Sequence, residues 1–275
     1  MSFNYWLSDM LPSFPHSLFT QPDSEKKDGV FLLETRLKEG KHEKVYIRIR
    51  EKEGHLIRDT QVLALPNEAP APEFQHLWVM RKQSAVAVCA QLGKTPNPSI
   101  LELGCGNGWF SHMLSSLPGS FVLGMDMNKT ELGQAARLFQ TDNLAFAFGD
   151  IEQDPLLPEK FDFVVLNAAI QYFNDIPGLL HLIRKLLKKT GEIHIFDSAF
   201  HLTKADQEKA RARSRKHFAQ MGEPDMIHHF HHPLWSEIKN FQPKIRYFNR
   251  NLLKKVLRIP QNPMPWVVIG KGGNF

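Results

Sequence analysis

The chain has 275 residues, 42% of them apolar, and a formal net charge of +5 from 34 basic and 29 acidic side chains. That length fits one large domain or a domain with a small appendage, and the apolar share is ample for a packed core. Two cysteines give no disulfide framework, no apolar run approaches a membrane span, and the opening ten residues lack the basic-then-apolar order of a secretory signal, so a cytoplasmic protein is expected.

Residues 1–70 are expected to form a small β-rich appendage. Lys44–Arg50 alternates apolar Val45, Ile47 and Ile49 with Tyr46, Arg48 and Arg50, the period of a half-buried strand. Gly29–Arg36 and His55–Arg58 flank it across turn-like Glu39-Gly40-Lys41 and Lys52-Glu53-Gly54, so an antiparallel meander is predicted. The proline-rich joint Leu65–Pro72 places a domain boundary at residues 70–71.

Glu73–Leu92 has helical periodicity. Beyond it the pattern alternates: strand 99–103, helix 108–117, strand 121–126, helix 130–140, strand 144–149, strand 161–167, helix 176–189 and strand 192–197. Such alternation predicts an α/β fold, doubly wound around a mostly parallel sheet. Residues 202–275 add a long polar helix, a histidine-rich loop and two closing strands, Lys244–Phe248 and Pro265–Gly270, which bring the sheet to seven strands.

The most informative string is Ile100-Leu-Glu-Leu-Gly-Cys-Gly-Asn-Gly108, an apolar strand running into Gly104, Gly106 and Gly108. Glycines there let the backbone turn tightly and approach a ligand closely. The spacing is G-x-G-x-G, not the G-x-G-x-x-G of a dinucleotide fingerprint. Glu102 would repel a pyrophosphate but suit an ammonium group. Asp126 ends the next apolar run, 22 residues after Gly104, where a carboxylate can accept two ribose hydroxyls or simply cap the helix that follows. Phe146-Ala-Phe-Gly-Asp150-Ile151 and Phe161-Asp-Phe-Val-Val-Leu-Asn167 complete a set of four collinear motifs.

In order and spacing these motifs resemble those of class I S-adenosylmethionine (SAM)-dependent methyltransferases, over roughly residues 73–270. The resemblance implies a Rossmann-like methyltransferase fold, SAM as cofactor, and in-line attack on its methyl carbon. It further implies cofactor contacts from Glu102, Gly104, Cys105, Gly106, Asp126, Met127, Asp150, Ile151 and Asn167, with no metal. Asp150 would accept from the adenine amino group and Ile151 would pack on the ring. In ordinary turn chemistry Asp150 and Asp162 serve the backbone alone, and Cys105 is filler in a crowded loop.

A sulfonium is already a good leaving group, so alignment supplies most of the catalysis and a base is needed only for a protonated acceptor. The weak catalytic candidates are His201, on a loop expected to border the pocket, and Tyr172, in the segment after the fourth core strand. Trp78 and Arg81 are candidates to cover the cofactor or pair with its carboxylate. The His228–His232 run is expected to form a substrate lid rather than a metal site.

Charge is uneven: residues 99–180 hold ten acids and three bases, whereas 238–275 hold eight bases and no acid. An acidic half suits a cationic cofactor. The basic tail and the Lys209–Lys216 run read as a solvated face, and nucleic acid has no recognition motif behind it. The expected acceptor is a small molecule of unknown identity. Rival readings are a non-catalytic SAM-binding scaffold, an RNA-directed methyltransferase and an NAD-dependent oxidoreductase.

Overall fold

The computed structural model describes residues 14–20, 25–33, 41–54, 56–153, 156–247 and 263–272. Its core is a sheet of nine strands among these residues, ordered β1-β2-β5-β4-β3-β6-β7-β9-β8. The strands are β1 (Glu25–Lys27), β2 (Val30–Leu32), β3 (Ser99–Leu103), β4 (Phe121–Asp126), β5 (Leu144–Phe148), β6 (Phe161–Asn167), β7 (Leu187–Phe196), β8 (Lys244–Tyr247) and β9 (Trp266–Gly270). Strands β2 to β7 pair in parallel, while β1, β9 and β8 add antiparallel partners at the two edges.

The helices are α1 (Lys41–Lys52), α2 (Asp59–Ala64), α3 (Gln75–Leu92), α4 (Trp109–Ser115), α5 (Lys129–Phe139), α6 (Ile176–Leu186), α7 (Lys204–Gln220) and α8 (Trp235–Ile238). None among the described residues is long and apolar enough to cross a membrane.

Both faces of the sheet are buried, because alternate side chains of each strand enter different cores. Leu101, Leu123, Ala145, Val164, Ile193 and Val267 pack with Ile176, Leu179, Leu180 and Ile183 of α6. Ile100, Val122, Phe146 and Val165 pack with α3, α4 and α5 through Val88, Phe110 and Leu132. Two-sided burial is why these strands read as continuous apolar runs rather than alternations. Helix α6 shows the complementary rule: its buried residues recur at i, i+3, i+4 and i+7, and Asp175 caps it by accepting from Gly178 N at 3.0 Å.

The lead-in departs from expectation. Lys44–Arg50 is not a strand but lies within α1. Its alternation is equally compatible with i, i+4 spacing: Val45 and Ile49 share a face packed on Phe218, Met226 and Ile227, and Tyr46 and Arg50 share the next. Nor does Val30–Leu32 join a separate meander. It pairs with Phe146–Phe148 and extends the central sheet, taking β1 with it. Leu56–Arg58 forms no strand and leads into α2, which is held to α5 by Gln134 Nε2 donating to Ile57 O at 2.9 Å and by the Arg137–Asp59 pair. The expected boundary at residues 70–71 falls between α2 and α3. Residues 34–36, His55 and Phe248 of the expected strands lie outside the described residues, as do Arg250, Lys254, Lys255 and Arg258 of the basic tail.

Candidate active site

In this order β3 runs beside β4 on one side and β6 on the other, so the chain reverses direction across the sheet there, and ligands of such sheets bind beyond the carboxyl ends at that point. A cavity of about 490 Å³ opens at that edge. Its floor is the glycine loop after β3 and the ends of β4, β5 and β6, and α1 and α3 contribute its other walls.

The loop owes its shape to three left-handed glycines. Gly104 sits at φ +74°, and a Cβ there would lie 2.6 Å from Ala169 Cβ; at Gly108, φ +76°, it would meet Ala135 and Phe146 at 2.8 Å. Gly104 N and Cys105 N both donate to Met125 O, at 2.8 and 3.3 Å, tying the loop to the end of β4. Asp126 completes the tie. Its Oδ2 accepts from Gly106 N and its Oδ1 from Asn128 N, each at 2.8 Å. The cap of α5 is Asn128, whose Oδ1 accepts from Glu131 N at 3.1 Å, so Asp126 is not spent on that helix.

Burial governs the chemistry of the acids. Glu102 is 1% exposed, accepts from Ser111 Oγ, and is pushed up to about 8 by desolvation. Burial, then the nearby Glu131 carboxylate, push Asp126 up to about 6. Burial also drives the Cys105 thiol well above its ordinary value, which leaves it no thiolate character.

All nine residues expected to touch the cofactor line this one cavity: Glu102, Gly104, Cys105, Gly106, Asp126, Met127, Asp150, Ile151 and Asn167. Asp150 also serves its own turn, accepting from Glu152 N at 3.0 Å and Gln153 Nε2 at 2.8 Å. Asn167 Oδ1 is buried without a hydrogen-bond partner among the described residues. Trp78, Arg81 and Tyr172 line the cavity as well. Asp197 does not: it accepts from Ser84 Oγ at 2.8 Å and holds α3 against the sheet.

His201 is placed elsewhere. It bridges to Leu234 and lies 6.0 Å, ring to ring, from His232, outside the cavity lining. Of the histidine-rich loop, His229 reaches the cavity. His231 pairs with Glu237 at 3.0 Å, and His232 with Ser214 at 2.9 Å.

Sequence reasoning missed Tyr46, Arg50, Trp109 and Glu131 as wall residues, and gave His229 only as part of an expected substrate-lid loop. The first two were hidden because their segment was expected to belong to a separate β meander, whereas it forms helix α1. Arg50 Nη2 donates to Glu131 Oε1 at 2.7 Å, and the Tyr46 ring meets Tyr172 edge-on at 5.4 Å. Trp109 opens α4 and packs on Trp78 at 5.3 Å.

A family model for a methyltransferase domain matches residues 94–246, more than half of the chain. A malonyl-[acyl-carrier protein] O-methyltransferase of Acetivibrio thermocellus is 32% identical over 105 residues, 38% of this chain and 36% of that protein. Trans-aconitate 2-methyltransferase of Deinococcus radiodurans is 33% identical over 113 residues, 41% of this chain and 42% of that protein. The chain thus spans under half the length of these two curated relatives. Phosphoethanolamine N-methyltransferase 2 of Haemonchus contortus, solved with phosphomonomethylethanolamine and S-adenosylhomocysteine, superposes with a TM-score of 0.52 at 15% identity, covering 80% of this chain and 58% of that one. At that identity the likeness is one of fold.

Proposed function

Since the chain belongs to the methyltransferase-domain family, whose class I members use SAM, we propose that it transfers the methyl group of SAM to a small-molecule acceptor admitted to the same cavity. One observation carries this reading: the glycine loop and the acids at the ends of β3, β4 and β5 line a single cavity that also reaches Tyr46, Tyr172 and His229.

The residues present fit the cofactor. Glu102, Asp126, Glu131, Asp150 and Glu152 line the wall with carboxyl groups that suit a sulfonium and an ammonium when ionised, Glu102 giving up its proton in the free protein only near pH 8. Gly104 and Gly106 form a cradle without side chains, and Asn167 Oδ1 is a buried acceptor that has no donor among the described residues. Asp126 would hold the ribose hydroxyls, Asp150 the adenine amino group, and Ile151 and Met127 the ring.

Bound SAM supplies an electrophilic methyl group and leaves as S-adenosylhomocysteine (SAH). The chain's own contribution is positioning in a cavity walled by packed aromatic rings. Desolvation raises the Tyr46 hydroxyl well above its ordinary range and the Tyr172 hydroxyl above its own, so both keep their protons at neutral pH.

Calorimetric titration of ligand-stripped protein with SAH, with NAD as control, tests the reading. Binding of SAH alone is expected, followed by labelled-methyl transfer in an acceptor screen. Binding of NAD alone would overturn it. The buried acids add a pH dependence with a definite sign. A cation favours ionised Glu102 and Asp126, whose free-state values are about 8 and about 6. Affinity for SAM is therefore expected to climb with pH between those values, by up to about tenfold per unit, with release of a proton on binding. SAH, uncharged at sulfur, should climb less steeply. Parallel curves for the two ligands would remove the acids from the sulfonium's surroundings.

A further inference from the structure

Elements outside the parallel core supply the end of the cavity that the glycine loop and the strand tips leave over. Tyr46 comes from α1, Ile57 and Phe74 from the stretches before α2 and α3, Tyr172 and Phe173 from the segment after β6, and Met226 from the short turn after α7. The charged, amide and hydroxyl groups around this end are spent within the chain. Arg50 gives Nη2 to Glu131 at 2.7 Å, and its Nε is buried. Gln171 gives Nε2 to Ala168 O and takes Ser198 Oγ at 3.3 Å. The Tyr172 hydroxyl has Tyr46 and Gln171 as hydrogen-bonding neighbours. Arg81 is attracted by Asp197, lies over the Trp78 ring at 5.0 Å, and would answer the one carboxylate that the cofactor brings.

Tyr172 shows what is left for a guest. Its hydroxyl end is desolvated, yet the residue is 40% exposed and lines the cavity, so the open part is apolar ring. That ring is also held in place. Tyr46 meets it edge-on at 5.4 Å and 89°, and Phe230 does so at 5.8 Å and 87°. A fixed, partly open ring offers edge or offset stacking to a flat guest at little cost in lost motion.

A charged guest fares worse here. An anion would lie among the carboxyl groups of the cavity and find no unspent guanidinium. An ammonium would seek an aromatic face, but the chain's own cations already sit there, Arg50 at 5.8 Å from the Tyr46 ring centre and Arg81 over Trp78.

We propose that Tyr172 and Tyr46, with Ile57, Phe74, Phe173 and Met226, form an acceptor pocket that selects an uncharged, planar ring. This inference rests on the methyl-transfer reading of the cavity and deepens it by naming the class of acceptor. Tyr172 is then a specificity-determining residue that acts through its ring and not through its hydroxyl. Discrimination comes from the cost of desolvating a charged substituent that finds no partner.

The test uses the full chain saturated with SAH and ligand-observed NMR titrations at neutral pH. The probes p-cresol, 4-hydroxybenzoate and tyramine share one phenol ring and carry no charge, a negative charge and a positive charge, while 1-hexanol is apolar without a ring. p-Cresol is expected to bind at least about tenfold more tightly than each of the others. Y172A should weaken p-cresol by at least about tenfold while SAH affinity stays within about twofold. Y172F should hold p-cresol within about twofold of wild type, since only the hydroxyl is lost. If Y172A fails to fold by circular dichroism, Y172L, which keeps apolar bulk but loses the plane, takes its place in the comparison.

Absence of p-cresol binding to SAH-saturated wild type would overturn the pocket, as would 4-hydroxybenzoate, tyramine or 1-hexanol binding as tightly. Equal p-cresol binding by wild type and Y172A would do the same. So would a Y172F protein that loses p-cresol, because the hydroxyl would then make the contact. p-Cresol that binds the SAH-free chain and is expelled by SAH also overturns it, since the ring would occupy the cofactor's place. Failure of wild type to bind SAH at all marks instead the fall of the methyl-transfer reading, and the acceptor pocket falls with it.

Discussion

Alanine in place of Gly104 is expected to lower the unfolding free energy by about 2–5 kcal/mol and to remove measurable SAH binding. Two physical terms add. The residue sits at φ +74°, and a Cβ in the left-handed region costs about 1–2 kcal/mol. The new methyl also lands 2.6 Å from Ala169 Cβ, where overpacking costs about 1–3 kcal/mol. Ala169 follows the end of β6, is 2% exposed, and has little room to retreat. The loop must shift instead, carrying with it the Gly104 N and Cys105 N bonds to Met125 O.

Urea unfolding and calorimetric titration with SAH read the two effects separately. The double variant G104A/A169G removes the steric contact but keeps the torsional term, so it should recover roughly half of the lost stability. A single variant as stable as wild type would mean that the loop does not approach β6 this closely.

Asp126→Ala should weaken SAH by about 1–3 kcal/mol, the usual cost of leaving buried hydrogen-bonding groups unpaired. The carboxylate organises the site before any ligand arrives, because its two oxygens take the amides of Gly106 and Asn128. Removing it therefore strands two N–H groups as well as the ribose hydroxyls assigned to it. Asp126→Asn should keep one acceptor oxygen for these amides and lose less affinity than alanine. An alanine variant that is folded and binds SAH like wild type would take Asp126 out of the cofactor site.

The core was legible because its physical signals agree. Strands β3, β4 and β6 occupy the predicted residues 99–103, 121–126 and 161–167, since burial on both faces leaves an unbroken apolar run that a turn or an acid must end. The residues that line the cavity floor were legible for a related reason. A strand tip followed by glycines, or by an acid, places those groups on one edge whatever the rest of the chain does.

The lead-in was not legible. Val45-Tyr-Ile-Arg-Ile-Arg50 satisfies period 2 and period 3.6 together, and partners distant in sequence decide between them. Those partners are Phe218, Met226 and Ile227 for Val45 and Ile49, and Glu131 for Arg50. Short β2 is similar: three residues carry too little pattern to announce a parallel pairing with β5, more than a hundred residues away. His201 illustrates the opposite error. Nearness to β7 in sequence placed it by the pocket, but its backbone bonds to Pro233 and Trp235 draw it to the loop before α8.

The attachments of α1 differ in kind from those of the sheet beneath it. Arg48 grips Glu223 with two nitrogens, Lys52 Nζ donates to Met221 O, and Glu53 meets His217 at 2.7 Å. These are partly exposed polar links, backed by the small apolar cluster around Ile49, whereas the cavity floor is fixed by two large buried cores. Salt screens the former and leaves the latter almost untouched. High salt is therefore expected to loosen the α1 wall before the floor, and hydrogen exchange of α1 amides against β3 amides at two ionic strengths would read the difference.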